Sequence, residues 1–394
     1  MKKILLVGNN NVEKQTLLRG LTPPSNEWEV DWILGGQQAL EQLSHQNYDA
    51  IICFMDLPGL SGVNLLEIVR KHYPHIVRFM ISEKTTPENQ FKIAGAAHQI
   101  LPLEEYQSHV SILQRTFALN NLLQQPDLQR LVLKLRNLPS LPSLYMQIMS
   151  EIDSPATSLE HVGSIISQDP AMTAKILQLV NSPFFGPSHS IVNPAQAASL
   201  LGIDIIRGLV LCINVFSQFN PVTLEKLGIS SLWEHSVRTG TYAKNIAKYE
   251  NADKKDIDYS FIGGILHDIG KLILADNFPV QYFSALNTSI RKDIELCEAE
   301  VDVFGATHSQ VGGYLLGLWG LPQPIVESVA FHHFPLNYPG KTFTPITATH
   351  AANYIDHKHH PNIWTRKASV IQYEYIERIQ LTNHIENWET ICKD

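Results

Sequence analysis

Residues 261 to 273 read Phe261-Ile262-Gly263-Gly264-Ile265-Leu266-His267-Asp268-Ile269-Gly270-Lys271-Leu272-Ile273. Apolar side chains recur here every three or four positions, the spacing of a helix face turned inward, and the pattern runs on to Ala275. One helix is therefore expected over Phe261 to Ala275, with His267 and Asp268 interrupting its buried run. An ionised carboxylate beside an imidazole is costly there unless it is paired or binds a metal. Gly263, Gly264 and Gly270 would let neighbouring backbones come close.

The same helical spacing extends upstream through Leu159 to Ser167, Met172 to Val180 and Pro194 to Leu201. Asp169 followed by Pro170 offers a side-chain acceptor and a fixed φ at a helix start, and Gly202 suits a helix stop. The larger part of the chain is expected to be all-helical. Before Glu104 the pattern differs: Ile4 to Val7, Trp28 to Leu34, Ala50 to Phe54, Ile76 to Ile81 and Gln99 to Leu101 read as strands, alternating with helical stretches such as Val63 to His72. That alternation implies a doubly wound α/β domain with a parallel five-stranded sheet. The joint lies between Glu104 and Leu141, broken at Pro126 and ending in Leu138-Pro139-Ser140-Leu141-Pro142. Val110, Leu113 and Phe117 have heptad-like spacing, which suits packing on their own domain or a dimer seam.

The chain has 394 residues, 44% of them hydrophobic and 17% charged, enough apolar material for packed cores and too much for general disorder. With 30 Lys+Arg against 38 Asp+Glu the formal net charge is −8. This argues against a nucleic-acid backbone or an anionic membrane as main partner, since both need clustered positive charge. Met1-Lys2-Lys3 and the short run Ile4 to Val7 lack the apolar core of a signal peptide, and Ile205 to Phe216 is interrupted by Arg207 and Asn214. No membrane insertion and a cytoplasmic location are expected. Cys53, Cys212, Cys297 and Cys392 form no CxxC pair, which fits reduced thiols.

The order Lys3 to Val7, Tyr48 to Ile52, Leu57-Pro58-Gly59-Leu60-Ser61-Gly62, Arg78 to Ser82 and Ala94-Gly95-Ala96 resembles a response-regulator receiver domain, a flavodoxin-like fold. In that family two acidic residues after the first strand hold Mg²⁺, an Asp ending the third accepts a phosphoryl group, and a Lys follows the fifth. The metal and Lys neutralise charge building on the phosphoryl oxygens while the Asp is the nucleophile. Here those positions are Gly8 and Asn9, Phe54, and Leu101; only the hydroxyl, Ser82, remains. Asp56 reads as a turn residue before Pro58. The domain is expected to be a pseudo-receiver.

The helical part is similar to the HDOD domain, a regulatory relative of the HD-superfamily metal phosphohydrolases. The matching blocks are Leu138 to Pro142, Ile166 to Pro170, Leu179 to Ser182, Ala195 to Gly202, Gly264 to Lys271, Glu300 to Gly305 with His308, Gly312-Gly313, Trp319 to Pro322 and His332-His333. The resemblance implies a receiver-like domain over 1–122, a linker helix over 123–137, an HDOD domain over 138–356 and a helical tail over 357–394. It further implies a metal set of His235, His267, Asp268, His308, His332 and His333, with Lys271 near enough to contact an anion. The metal would be divalent iron, manganese or zinc. The later Asp of the superfamily falls at Asn353, which removes a ligand, and His357, His359 and His360 read as a solvated turn near Pro361.

One function is expected and a second is its alternative. The first is a signal-transduction regulator without catalysis, working by contact with signalling proteins or a second copy of itself. The second is a metal-dependent phosphodiesterase acting on a cyclic nucleotide or dinucleotide, because the histidine set also resembles that of the HD-GYP enzymes. Against it, Phe334 to Pro339 lacks their Gly-Tyr-Pro motif.

Overall fold

The strand and helix alternation before Glu104 folds as a parallel sheet. Strands β1 (Lys2–Gly8), β2 (Trp28–Leu34), β3 (Ala50–Phe54), β4 (Val77–Ser82) and β5 (Gln99–Pro102) lie in the order β2-β1-β3-β4-β5. The register pairs Ile4 with Val30 on one side and with Ala50 on the other. All five residues of β3 are buried, as a central strand covered on both faces requires. Helices α1 (Gly36–His45), α2 (Gly62–His72) and α3 (His109–Leu123) belong to this unit. Leu113 and Phe117 are buried in its core, and Phe117 packs on Trp28 and Phe79. The heptad-like spacing thus serves packing on the helix's own unit.

This is a computed structural model, and the residues it describes are 2–9, 21, 28–73, 76–82, 96–97, 99–102, 109–135, 147–148, 158–181, 191–219, 225, 231–319, 321–361 and 370–393. Leu138 to Pro142, Ala94-Gly95, Ser182 and Gly320 lie outside them, as does the side chain of Ser82. The chain divides into Met1–Gln124 and Gln125–Asp394.

The positions that the receiver resemblance assigns to phosphorylation are occupied here by Gly8, Asn9, Phe54 and Leu101. A Cβ added at Gly8 would overlap the far edge of the Trp32 ring, so any side chain there requires that ring to move. Phe54 and Leu101 are buried in the sheet core. The Asn9 side chain donates to the Asp56 carbonyl, and Asp56 itself is exposed in a bend before Pro58.

The second unit is helical throughout its described residues. Helices α4 (Pro126–Val132), α5 (Leu159–Ser167), α6 (Pro170–Val180), α7 (Pro194–Leu201) and α8 (Ile203–Gln218) come first. Asp169 caps α6 by accepting from Met172 N at 3.0 Å, and Gly202, at φ +89°, separates α7 from α8. There follow α9 (Leu232–Tyr249), α10 (Lys254–Leu266), α11 (Ile269–Asn277), α12 (Pro279–Lys292), α13 (Leu296–Phe304), α14 (His308–Leu318), α15 (Gln323–Phe331) and α16 (Pro345–His359). Two short helices, α17 (Tyr373–Arg378) and α18 (Ile385–Ile391), pack Tyr375, Ile376 and Trp388 into the core formed by α9 and α16.

One expectation fails here in an informative way. Phe261 to Ala275 is two helices, with a break at His267 and Asp268, where Asp268 has φ −100° and ψ 9°. The halves are bound to different partners. A Cβ at Gly264 would meet Gly240 Cα of α9 at 2.7 Å, whereas one at Gly270 would strike the His308 carbonyl of α14. Apolar periodicity runs through a two-residue turn unaltered, so it could not reveal the break.

Candidate metal centre

The break between α10 and α11 turns Asp268 into the middle of four helices' histidines. His235 comes from α9, His267 from the break itself, His308 from the first turn of α14, and His332 and His333 from the end of α15. Asp268 Oδ2 lies 3.4 Å from His235 Nε2 and 3.3 Å from His267 Nε2. Its Oδ1 lies 3.1 Å from His308 Nε2 and 3.8 Å from His332 Nε2. His333 Nε2 is 3.1 Å from His308 Nε2. The residues form two donor sets, His235-His267-Asp268 and Asp268-His308-His332-His333, with the ligand atoms of each within 4.8 Å of one another. Asp268 is common to both.

The outward nitrogens explain why the inward ones converge. His267 Nδ1 donates to Gly264 O at 2.7 Å and His332 Nδ1 to Val329 O at 2.8 Å. A carbonyl only accepts, so in the neutral rings Nε2 carries the lone pair that points into the centre. His235 Nδ1 is held by Asp356 Oδ2 at 2.6 Å, and His308 Nδ1 by Glu300 Oε2 at 2.7 Å. Glu300 Oε2 also accepts from His308 N at 2.7 Å, which fixes the start of α14. Acceptors of this kind set the tautomer and orientation of metal-bound histidines. They were not legible as site residues in the sequence; Glu300 stood only as part of a matching block.

Burial alone pushes every one of these imidazoles down, and the neighbours decide the balance. His332 is held well below the usual histidine value by burial and then by His333 and His267, and His333 by burial and then by His308 and Lys271. Both are neutral donors at pH 7. Against the same burial, hydrogen bonds to Asp268 and Asp356 raise His235, and the Glu300 charge raises His308. Burial would raise Asp268, but the charges of His267 and Lys271 hold it well below the usual carboxylate range. Lys271 Nζ donates to Asp268 Oδ2 at 2.6 Å, so the lysine expected near an anion is seated on the shared carboxylate.

The donor chemistry fits a divalent cation. Asp268 Oδ1 and His332 Nε2 are buried with no hydrogen-bond partner among the described residues, and both face the same centre. His235 Nε2 and His267 Nε2 stand 3.1 Å apart and face the same centre. Nitrogen and oxygen donors of this type suit iron, manganese or zinc. The clustered His and Asp residues therefore make geometrically sound divalent-metal sites. This finding overturns the expectation of a helical domain without catalysis acting by protein contact: buried donors converging on one carboxylate are what a hydrolytic centre needs, and scaffolding needs none of them.

One further expectation is corrected, and one position gains a neighbour. Three residues after Asn353 in α16, Asp356 is buried behind His235 and also gripped by Arg238 Nε and Nη2, though it belongs to neither donor set. Burial opposes its charge, but the bonds from His235 and Arg238 bring its pKa down to about 2. His357 is not part of a solvated turn, because α16 continues through it to His359. The ring is buried and stacked on His235 with centroids 4.7 Å apart. His360 is exposed at the helix end. A third donor set, Glu295-Cys297-His333, adjoins the second through His333.

Among the described residues no helix is long and apolar enough to cross a membrane. All four cysteines are free and buried. Residues 4–101 match the response regulator receiver domain and residues 138–335 the HDOD domain. An uncharacterized protein of Treponema pallidum (strain Nichols) is 26% identical over 216 residues, 55% of this chain and 41% of that one. The hydrogenase transcriptional regulatory protein HoxA of Cupriavidus necator is 33% identical over 86 residues, 22% of this chain and 17% of that one. The chain thus spans less than half the length of either relative. An HDOD domain protein of unknown function from Geobacter sulfurreducens shares the fold, with a TM-score of 0.52 and 19% identity, covering 72% of this chain and 98% of that one. The HDOD match takes in half of the chain and includes all the donors of both sets, and the protein belongs to the HDOD domain family, with a response-regulator receiver domain at its N-terminal side.

Proposed function

We propose that the helical domain is a metal-dependent HD-type phosphohydrolase, with a cyclic nucleotide or dinucleotide as the substrate class. The observation that carries this reading is the Asp268 carboxylate, whose two oxygens face two separate histidine groups. His235, His267 and Asp268 would hold one ion, and Asp268, His308, His332 and His333 a second. Divalent ions placed so supply Lewis acidity, polarising a phosphoryl oxygen and making water nucleophilic near neutral pH.

The protein's own groups prepare that chemistry. Asp356 and Glu300 keep the protons of His235 and His308 on Nδ1, and the backbone carbonyls of Gly264 and Val329 do the same for His267 and His332. Lys271 balances the charge of Asp268. His267, Asp268, His308 and His332 are wholly buried, which keeps bulk water off the donors and strengthens their electrostatics.

The test is metal analysis of the purified full chain followed by turnover of cyclic di-guanylate, a cyclic mononucleotide and bis(p-nitrophenyl) phosphate with manganese, iron or zinc. Metal-dependent hydrolysis that disappears in His267→Ala is the expected result. A fully metal-loaded protein that cleaves none of the three would overturn the reading.

A further inference from the structure

Of the six donors, only His235 at 6% and His333 at 9% exposure reach the surface. The chain closes over His333. Its Nδ1 stands 3.5 Å from Glu295 Oε2, Gln372 Nε2 donates to its carbonyl at 2.9 Å, and Val370 N donates to Glu295 Oε1 at 3.1 Å. Over His235 lies instead a cavity of about 430 Å³ that also reaches Asp356. Such a volume falls in the range of small-molecule sites.

The outer wall of that cavity is Ser231, Glu234, Arg238, His359, His360 and Pro361. Arg238 spends Nε and Nη2 on Asp356, while its Nη1 has Glu234 no nearer than 4.0 Å. His359 Nε2 is buried with no hydrogen-bond partner among the described residues. A buried polar atom left without a partner is costly, which favours something that meets it. Among the described residues the wall is mostly polar side chains, with Pro361 beside them, so the cavity offers hydrogen-bond groups for oxygens.

We propose that substrate reaches the metal centre through this cavity, where Arg238 Nη1 and His359 Nε2 hold the phosphate oxygens of an organic phosphate whose leaving group stays in solvent. The proposal rests on the hydrolase reading above. The charges facing the cavity are Arg238, Asp356 and Glu234. Asp356 is paired with the Arg238 guanidinium and hydrogen-bonded to His235, which leaves the carboxylate of Glu234, largely exposed at the mouth, as the group that repels an anion.

The experiment titrates inorganic phosphate into the manganese-loaded full chain, with metal content measured in each variant. His359→Ala should weaken phosphate binding about tenfold, the loss of one charge-assisted hydrogen bond, at unchanged metal content. His359→Gln, which keeps an N–H donor, should recover most of it. Glu234→Gln should tighten binding about threefold, a gain that a damaged fold would not produce. Wild type that binds no phosphate, or affinities unchanged in both His359→Ala and Glu234→Gln, would overturn the proposal. If the variants behave as expected but no phosphate ester is cleaved, the phosphate site stands and the hydrolase reading falls.

Discussion

Asp356 Oδ2 lies 2.6 Å from His235 Nδ1, and this contact decides which nitrogen His235 turns toward Asp268. With Nδ1 protonated against Asp356, Nε2 offers its lone pair to the centre. Asp356→Asn keeps the shape and loses the charge, and its amide can present N–H to Nδ1, which moves the ring proton to Nε2. Metal affinity should fall roughly 10- to 100-fold, whereas Asn353→Asp should leave it near wild type. Titration against a competing chelator measures both, and an Asp356→Asn protein that binds metal as wild type does would remove the orienting role.

In the receiver unit the Trp32 ring occupies the space over Gly8, and Phe54 stands buried at the acceptor position. Acetyl phosphate with Mg²⁺ should add no acyl phosphate to residues 1–122 of the full chain. Phe54→Asp should not restore uptake, because Gly8 and Asn9 supply no carboxylate to the metal. It should destabilise the unit by about 2–4 kcal/mol, from lost apolar burial and a carboxylate placed in the core. A base-labile mass gain of one phosphoryl group in wild type, or equal thermal stability in Phe54→Asp, would contradict this account.

Much of this architecture was legible in the sequence, and the exceptions have one physical cause. Strand runs such as Ala50 to Phe54 and helix runs such as Leu159 to Ser167 announce themselves by local period, and the structure keeps those limits. His267 and Asp268 stood out because polar residues broke an apolar pattern. Asp356 and His357 did not, since each sits in a stretch rich in polar residues, and their importance comes from His235, more than a hundred residues away. The break at His267 was hidden for a related reason: it is imposed by close contacts with α9 and α14, which local spacing does not encode.

His350 gives the second unit an acid limit. It donates from Nδ1 to His332 O at 2.7 Å and accepts at Nε2 from Gln372 N at 2.9 Å, and burial brings its pKa down from 6.5 to about 4. The unfolded chain therefore takes up this proton below about pH 6.5 while the folded chain does not until about pH 4. Stability is full above 6.5 and is lost as pH falls toward 4, by up to roughly 3 kcal/mol from this group. His350→Gln preserves a donor and an acceptor without titrating, so its stability should fall less steeply across that window. Equal acid slopes for wild type and variant, measured by denaturant unfolding at several pH values, would count against the assignment.

The sharing of Asp268 between two donor sets has a stoichiometric consequence. If its oxygens serve separate ions, removing His235 should weaken only the set containing His267, and removing His333 only the set containing His308 and His332. Wild type should bind two ions per chain, His235→Ala and His333→Ala one each, and Asp268→Ala none. Loss of Asp268 also leaves Lys271 without its partner in the interior, so that variant should be less stable as well. Asp268→Asn separates the effects: it keeps the volume and a hydrogen-bond acceptor for Lys271, yet supplies no anionic bridge. Its metal content should still fall below one ion per chain while its helical circular dichroism matches wild type. Should Asp268→Asn retain both ions, the carboxylate would not be the shared ligand; should wild type saturate at a single ion that His235→Ala removes, the second set would hold no ion of its own.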